Sequence, residues 1–160
     1  MLKTIFSAKT KAVFLTLFLL SSCATASLEQ MRKETKNFKL PKTPDDQSAI
    51  VYVVRPGNGG PLVRFNVFLD YQGDDSEMGY NRGEQYIYFK LTPGQHRIFS
   101  KAENWAEISI DAKVGETYFV EQTAGLGFIM ARNSLKQVSE DQGKYLVKNS
   151  KLGTTYKTEK

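Results

Sequence analysis

Beginning at Ala49 the sequence takes up a period of two and keeps it. Successive side chains are thereby sorted to opposite faces, so extended strands rather than helices are dictated for the middle of the chain. AIVYVVR (49–55) is β-branched and aromatic, the pattern of a strand buried on both faces, and Arg55-Pro56 followed by GNGG stops it. LVRFNVFLD (62–70) sets Phe65, Val67 and Leu69 against Asn66, Phe68 and Asp70. EQYIYFK (84–90) alternates Tyr86 and Tyr88 with Ile87 and Phe89, and Thr92-Pro93-Gly94 then supplies a turn. QHRIFS (95–100), WAEISIDAK (105–113), TYFVEQT (117–123) and FIMARNSLKQV (128–138) complete the series.

Short strands at this spacing, with turn signals between them and no helical period in the middle, predict an all-β fold. The expectation is a single small β-sandwich of seven or eight mostly antiparallel strands over residues 49–147. Ser139, with Glu140 and Asp141 after it, predicts a short C-terminal helix, and Gly143 argues against a long one. A chain of 160 residues has room for one such core, and a 41% hydrophobic share with eight Tyr and ten Phe excludes a disordered chain. Residues 148–160 read as a basic, disordered tail.

The other constraining stretch is the N-terminus. Lys3, Lys9 and Lys11 precede the apolar run AVFLTLFLL (12–20), which small residues then end, as in a secretory signal peptide. The run is far below the roughly 20 residues that span a bilayer. Inside LLSSCATAS, Leu20-Ser21-Ser22-Cys23 looks like the lipobox of bacterial lipoproteins, with cleavage between Ser22 and Cys23 and a diacylglyceryl group on the cysteine sulfur. Ala24-Thr25-Ala26 also fits ordinary signal cleavage, which would leave Ser27 first and no cysteine. The lipobox is favoured, because it needs four residues in register directly after the apolar run. Cys23 is the chain's one cysteine, so no internal disulfide is available to it. Two or three acyl chains would hold the protein at a membrane, and Ala24 in place of Asp resembles the outer-membrane default, with the domain facing the periplasm.

Residues 23–48 then read as the lipidated N-terminus and a flexible tether, polar and carrying Pro41 and Pro44. Ser27 with Gln30 could cap a helix whose apolar stripe is Leu28, Met31 and Phe38, but helices this short are marginal alone.

A formal charge of +5 invites a nucleic-acid reading, and counting by segment removes it. Residues 49–147 hold ten bases against twelve acids, so the basic excess lies at the two ends and not on the folded element. His96, the single histidine, has no partner at a recognisable motif spacing and reads as a structural strand-end residue. Asp70, Asp74, Asp75 and Glu77 put four carboxylates in eight residues, weak candidates for a hard cation, yet they lack the spacing of a calcium loop and read as a solvated hairpin. Tyr52, Tyr86, Tyr88 and Tyr118 could form an aromatic ligand face, although tyrosines in a small sandwich more often cap the core. GLGFIMARN (125–133) would expose Phe128, Ile129 and Met130 if it is a hairpin tip and bury them if it is a strand. The usual burial of such residues favours the strand. No cofactor motif is present.

IVYVVRP (50–56), LTPGQHRI (91–98), VGETYFVEQ (114–122) and SEDQGKYL (139–146) occur in this order behind a lipobox. Together they resemble a bacterial lipoprotein family carrying domain of unknown function 2846, over about residues 45–146, and more distantly surface β-domains of the PEGA type. The resemblance implies an exported, membrane-anchored β-domain and brings no catalytic residue with it. YQGDDSE (71–77) departs from the short Asp-Gly hairpin expected there. The function so read is binding or scaffolding at the envelope, with membrane lipid, an envelope protein or cell-wall polymer as partner and no nucleic acid. The competing readings are an envelope hydrolase of peptidoglycan or glycan using Asp74, Asp75, Glu77 and His96, and a structural subunit of an envelope complex.

Overall fold

Two sheets form, as the period-two pattern requires. The computed structural model describes residues 26–57, 63–129 and 131–157. Cys23, the Ser22–Cys23 cleavage position and Met130 lie outside them. One sheet has the order β8-β7-β1-β4-β9 and the other β10-β3-β2-β5-β6. The strands are β1 Ala49–Arg55, β2 Phe65–Leu69, β3 Glu77–Asn81, β4 Gln85–Leu91, β5 Gly94–Lys101, β6 Trp105–Ala112, β7 Thr117–Gly125, β8 Arg132–Gln137, β9 Lys151–Leu152 and β10 Thr154–Thr155. Two short helices, α1 Leu28–Thr35 and α2 Glu140–Lys148, complete the fold.

The doubly apolar β1 takes the centre of the first sheet and is buried along its whole length. It pairs antiparallel with β4, from Ala49↔Leu91 to Arg55↔Gln85, and parallel with β7, from Ile50↔Thr117 to Val54↔Glu121. Its two faces enter different cores. Ala49, Val51 and Val53 meet Val67, Leu69, Met78, Ile98 and Ile110 of the second sheet. Ile50, Tyr52 and Val54 meet Phe119, Tyr86 and Val147 beneath the helices. The molecule is therefore layered as helices, first sheet, second sheet.

The helical layer corrects the tether reading. Ser27 caps α1, its Oγ accepting from Gln30 N–H at 3.2 Å, and Met31 and Thr35 are buried. Arg32 pairs with Asp141 of α2 at 2.8 Å, and Lys148 Nζ donates to the Glu34 carbonyl at 2.8 Å. Phe38 and Leu40 pack on the Tyr52 cluster, and Tyr52 Oη accepts from Lys42 N–H and donates to Lys42 O, at 2.8 and 2.6 Å. A helix of eight residues, marginal alone, is held here by tertiary contacts. At the lead-in to β1, Asp45 accepts from Ser48 Oγ at 2.6 Å and from Gln47 N–H at 3.1 Å, and pairs with Lys90 at 3.2 Å. The Ser48 hydroxyl chiefly, with that N–H and Lys90, holds the Asp45 carboxyl far below the usual carboxylate range.

The tail reading is corrected too. Lys151 N–H donates to Glu84 O at 2.8 Å and Gly153 N–H to Tyr86 O at 2.7 Å, on the edge of the first sheet. Directly after Gly153, Thr154 and Thr155 pair with Tyr80 and Gly79 on the edge of the second. Residues 151–155 thus stitch the two sheets together along one side. Gly79 permits the approach, because its φ is +146° and a Cβ there would sit 2.1 Å from Thr154 O. β3 begins at Glu77, where the stretch that departs from the expected hairpin ends. A 3-10 turn at Asp74–Ser76 leads into it, and its pairing with β2 carries a register shift at Val67/Phe68.

Candidate functional site: the β7–β8 tip

β7 and β8 pair from Val120↔Gln137 up to Gly125↔Arg132, so residues 126–129 lie beyond the end of the ladder. Leu126 is 100% exposed, Phe128 95% and Ile129 84%. The preference for core at GLGFIMARN is thus overturned, because the ladder ends at Gly125 and no facing layer extends over the tip. Phe128 and Ile129 stand where the hairpin alternative put them.

The tip is held from below by the β5–β6 connection. The Glu103 carboxylate accepts from Phe128 N–H at 3.0 Å and from Ile129 N–H at 2.9 Å, and Glu103 N–H donates to Ala131 O at 3.2 Å. Next to it, Asn104 Nδ2 donates to Asn133 O at 3.0 Å while Asn133 N–H donates to Asn104 Oδ1 at 2.8 Å. A carboxylate accepting two adjacent backbone donors fixes a turn through charge-assisted bonds. Three large apolar side chains are consequently presented on an ordered backbone, against the usual tendency of such residues to be covered. Trp105, directly after this connection, is also exposed and packs on Phe68 at 5.1 Å, while Lys101 Nζ lies 5.3 Å from the Trp105 ring. A shallow groove of about 200 Å³ beside the clamp is lined by Val63, Arg64, Lys101, Ala102, Glu103 and Ala131, among others.

The tyrosines do not form a ligand face. Tyr52 and Tyr86 are buried under the helical layer, where Tyr52 stacks on Phe119 at 5.6 Å and tilts against Tyr86 and Tyr88. Burial pushes the Tyr52 hydroxyl up to about 12 and that of Tyr86 upward. Tyr118 is on the opposite face of β7, its Oη donating toward Asp111 O and the Glu116 carboxylate. The reason is the helical layer, which covers the side of the sheet that Tyr52 and Tyr86 would otherwise have offered to a ligand.

His96 acquires a partner that sequence spacing does not show. Its Nδ1 lies 2.9 Å from Asp70 Oδ1, and its Nε2 lies 2.8 Å from Thr92 O and 3.3 Å from Thr92 Oγ1. The order hydroxyl, imidazole, carboxylate has the look of a nucleophile relay. The two closer ring contacts, however, are to groups that can only accept, the Asp70 carboxylate and the Thr92 carbonyl, and the hydroxyl is the farthest of the three, which is the arrangement of a structural tie rather than of a base aimed at a nucleophile. Asp70 Oδ1 also accepts from Arg97 N–H at 3.3 Å, and the group ties the Thr92–Gly94 turn to the end of β2. Asp74, Asp75 and Glu77 do not join it. Asp75 accepts from Tyr71 Oη at 2.5 Å and Glu77 from Asn66 Nδ2 at 2.6 Å. Among the described residues, no three His, Cys, Asp or Glu side chains converge as metal ligands would, and no helix is long and apolar enough to cross a membrane.

No family model matches the chain. It is similar to a Haemophilus influenzae protein named only as uncharacterized, 24% identical over 139 residues that cover 86% of this chain and 80% of the relative. Glu103, Asn104 and Asn133 were not singled out by the sequence. Polar residues flanking Trp105 carry no period, and only the pairing of two hairpins brings them under the tip.

Proposed function

We propose that the chain is an exported lipoprotein, held at the bacterial outer membrane by acyl chains on Cys23 and facing the periplasm, whose β-sandwich binds an envelope protein through the β7–β8 tip. The leader, with Lys3, Lys9 and Lys11 ahead of an apolar run and Leu20-Ser21-Ser22-Cys23, supports the anchor. The resemblance to lipoproteins carrying domain of unknown function 2846 supports the same reading. The observation that carries the binding role is the exposure of Leu126, Phe128 and Ile129 on a backbone clamped by Glu103. A preorganised apolar knob costs little ordering entropy on docking, which suits an anchor entering a partner's pocket.

The test places a photo-crosslinking amino acid at position 128 in cells, with position 109 on the outer strand β6 as control. The reading predicts a discrete protein adduct from 128 alone, lost when Leu126 and Ile129 are changed to Ser. Because these side chains are exposed, the melting temperature should stay within about 2 °C of the parent. Adducts to lipid only, or the same adduct from both positions, would contradict a protein partner at the tip.

A further inference from the structure

The helical layer differs in charge from the two sheets. Residues 27–42 hold five bases against two acids, and residues 140–151 three against two, whereas residues 43–139 hold nine bases against twelve acids. Some of the layer's charge is internally matched: Arg32 with Asp141, and Lys144 with Glu140 at 2.5 Å. Lys33, Lys36 and Lys39 are exposed and make no ion pair among the described residues. Lys33 and Lys36 line an open groove of about 460 Å³ between α1 and α2 together with Glu29, Arg32, Asp141 and Lys144.

Position along the chain makes this asymmetry useful. Ser27, the cap of α1, is four residues after Cys23, and four extended residues reach about 14 Å at most. Stacked sheets are about 10 Å apart and a helix with its side chains adds about 10 Å. A leash this short, starting in the helical layer, cannot bring the outer face of the second sheet to the lipid while the cysteine stays inserted.

We infer that the α1–α2 layer is a membrane-apposed face whose Lys33, Lys36 and Lys39 lie against anionic lipid headgroups, so that the domain is oriented on the bilayer with its second sheet outward. The inference rests on the Cys23 anchor proposed above. The occupant is a bilayer surface rather than a protein because the excess is positive, faces the side of the anchor, and contrasts with acidic sheets that such a surface would repel.

The mature chain, purified from membranes, is reconstituted into phosphatidylcholine vesicles with and without 30% phosphatidylglycerol, and its lysines are labelled with an amine-reactive reagent read out by peptide mass. Lys33, Lys36 and Lys39 are expected to label at least about threefold more slowly on the anionic vesicles, Lys101 of β5 equally on both, and the difference to vanish at high salt. The triple change Lys33→Glu, Lys36→Glu, Lys39→Glu, with an unchanged thermal transition, should label Lys148 equally on both vesicles. Equal labelling of the three lysines in an acylated chain overturns this orientation and leaves the anchor standing. Absence of acyl mass on the purified chain overturns the anchor and the orientation with it.

Discussion

Tyr52 shows how one hydroxyl can hold a whole segment. It is buried at the centre of the first sheet, and its Oη is both acceptor and donor to the backbone of Lys42, which brings residues 36–42 across the sheet and α1 onto α2. Tyr52→Phe keeps the ring stacking on Phe119 and strands a part-buried N–H and C=O, so denaturant unfolding should report a loss of about 1–2 kcal/mol. The pH dependence has a definite sign. The folded state holds the Tyr52 proton to about 12, against 10.0 for the free group, so folded and unfolded chains carry the same proton below pH 10. Between pH 10 and 12 the unfolded chain ionises first, and stability falls. The parent should therefore lose stability more steeply over that window than Tyr52→Phe, and parallel curves would refute the assignment. Gly143 makes a second case. The sequence reads it as an argument against a long α2, and the helix is indeed short, nine residues, but runs through Gly143, where a Cβ would lie 2.1 Å from the Phe119 ring. Helix propensity alone favours Gly143→Ala by up to about 1 kcal/mol. The overlap instead predicts a net loss of about 1–3 kcal/mol in thermal or chemical unfolding.

Elements with strong apolar patterns were legible, and elements made by backbone contacts were not. AIVYVVR predicts a strand covered on both faces, and β1 has that place because both of its faces meet apolar layers. WAEISIDAK and TYFVEQT likewise coincide with β6 and β7 to within a residue or two. The sequence around β9 and β10 has Lys151, Lys157 and Gly153 and too few apolar residues for any period. Two-residue strands need only edge carbonyls and N–H groups to pair with, which no pattern advertises. Gly79→Ala tests whether this stitch matters: with φ at +146° and Thr154 O in the way, the residues from 151 to 156 should lose amide protection. Global stability should drop by about 1–3 kcal/mol. Retained protection there would mean that the tail pairs independently of Gly79. The tip shows the same limit. Its apolar residues were visible, but their exposure depends on where the β7–β8 ladder stops, and their order depends on Glu103 from another hairpin.

On the scale of the whole molecule, the layers assign different tasks to different surfaces. The inner face of the first sheet and the second sheet make a core, the helices cover the first sheet's other side, and a clamped apolar tip projects beyond both. Under the anchor proposed above, attachment by the N-terminus would by itself raise the domain's effective concentration at a partner on the same surface. That account stands on Cys23, so intact mass measurement of the mature chain from membranes, beside a Cys23→Ala variant, tests it most directly. It predicts an N-terminus at Cys23 bearing two or three acyl chains, and a variant that is no longer processed between Ser22 and Cys23. A plain N-terminus at Ser27 would contradict it and leave a freely diffusing domain in its place.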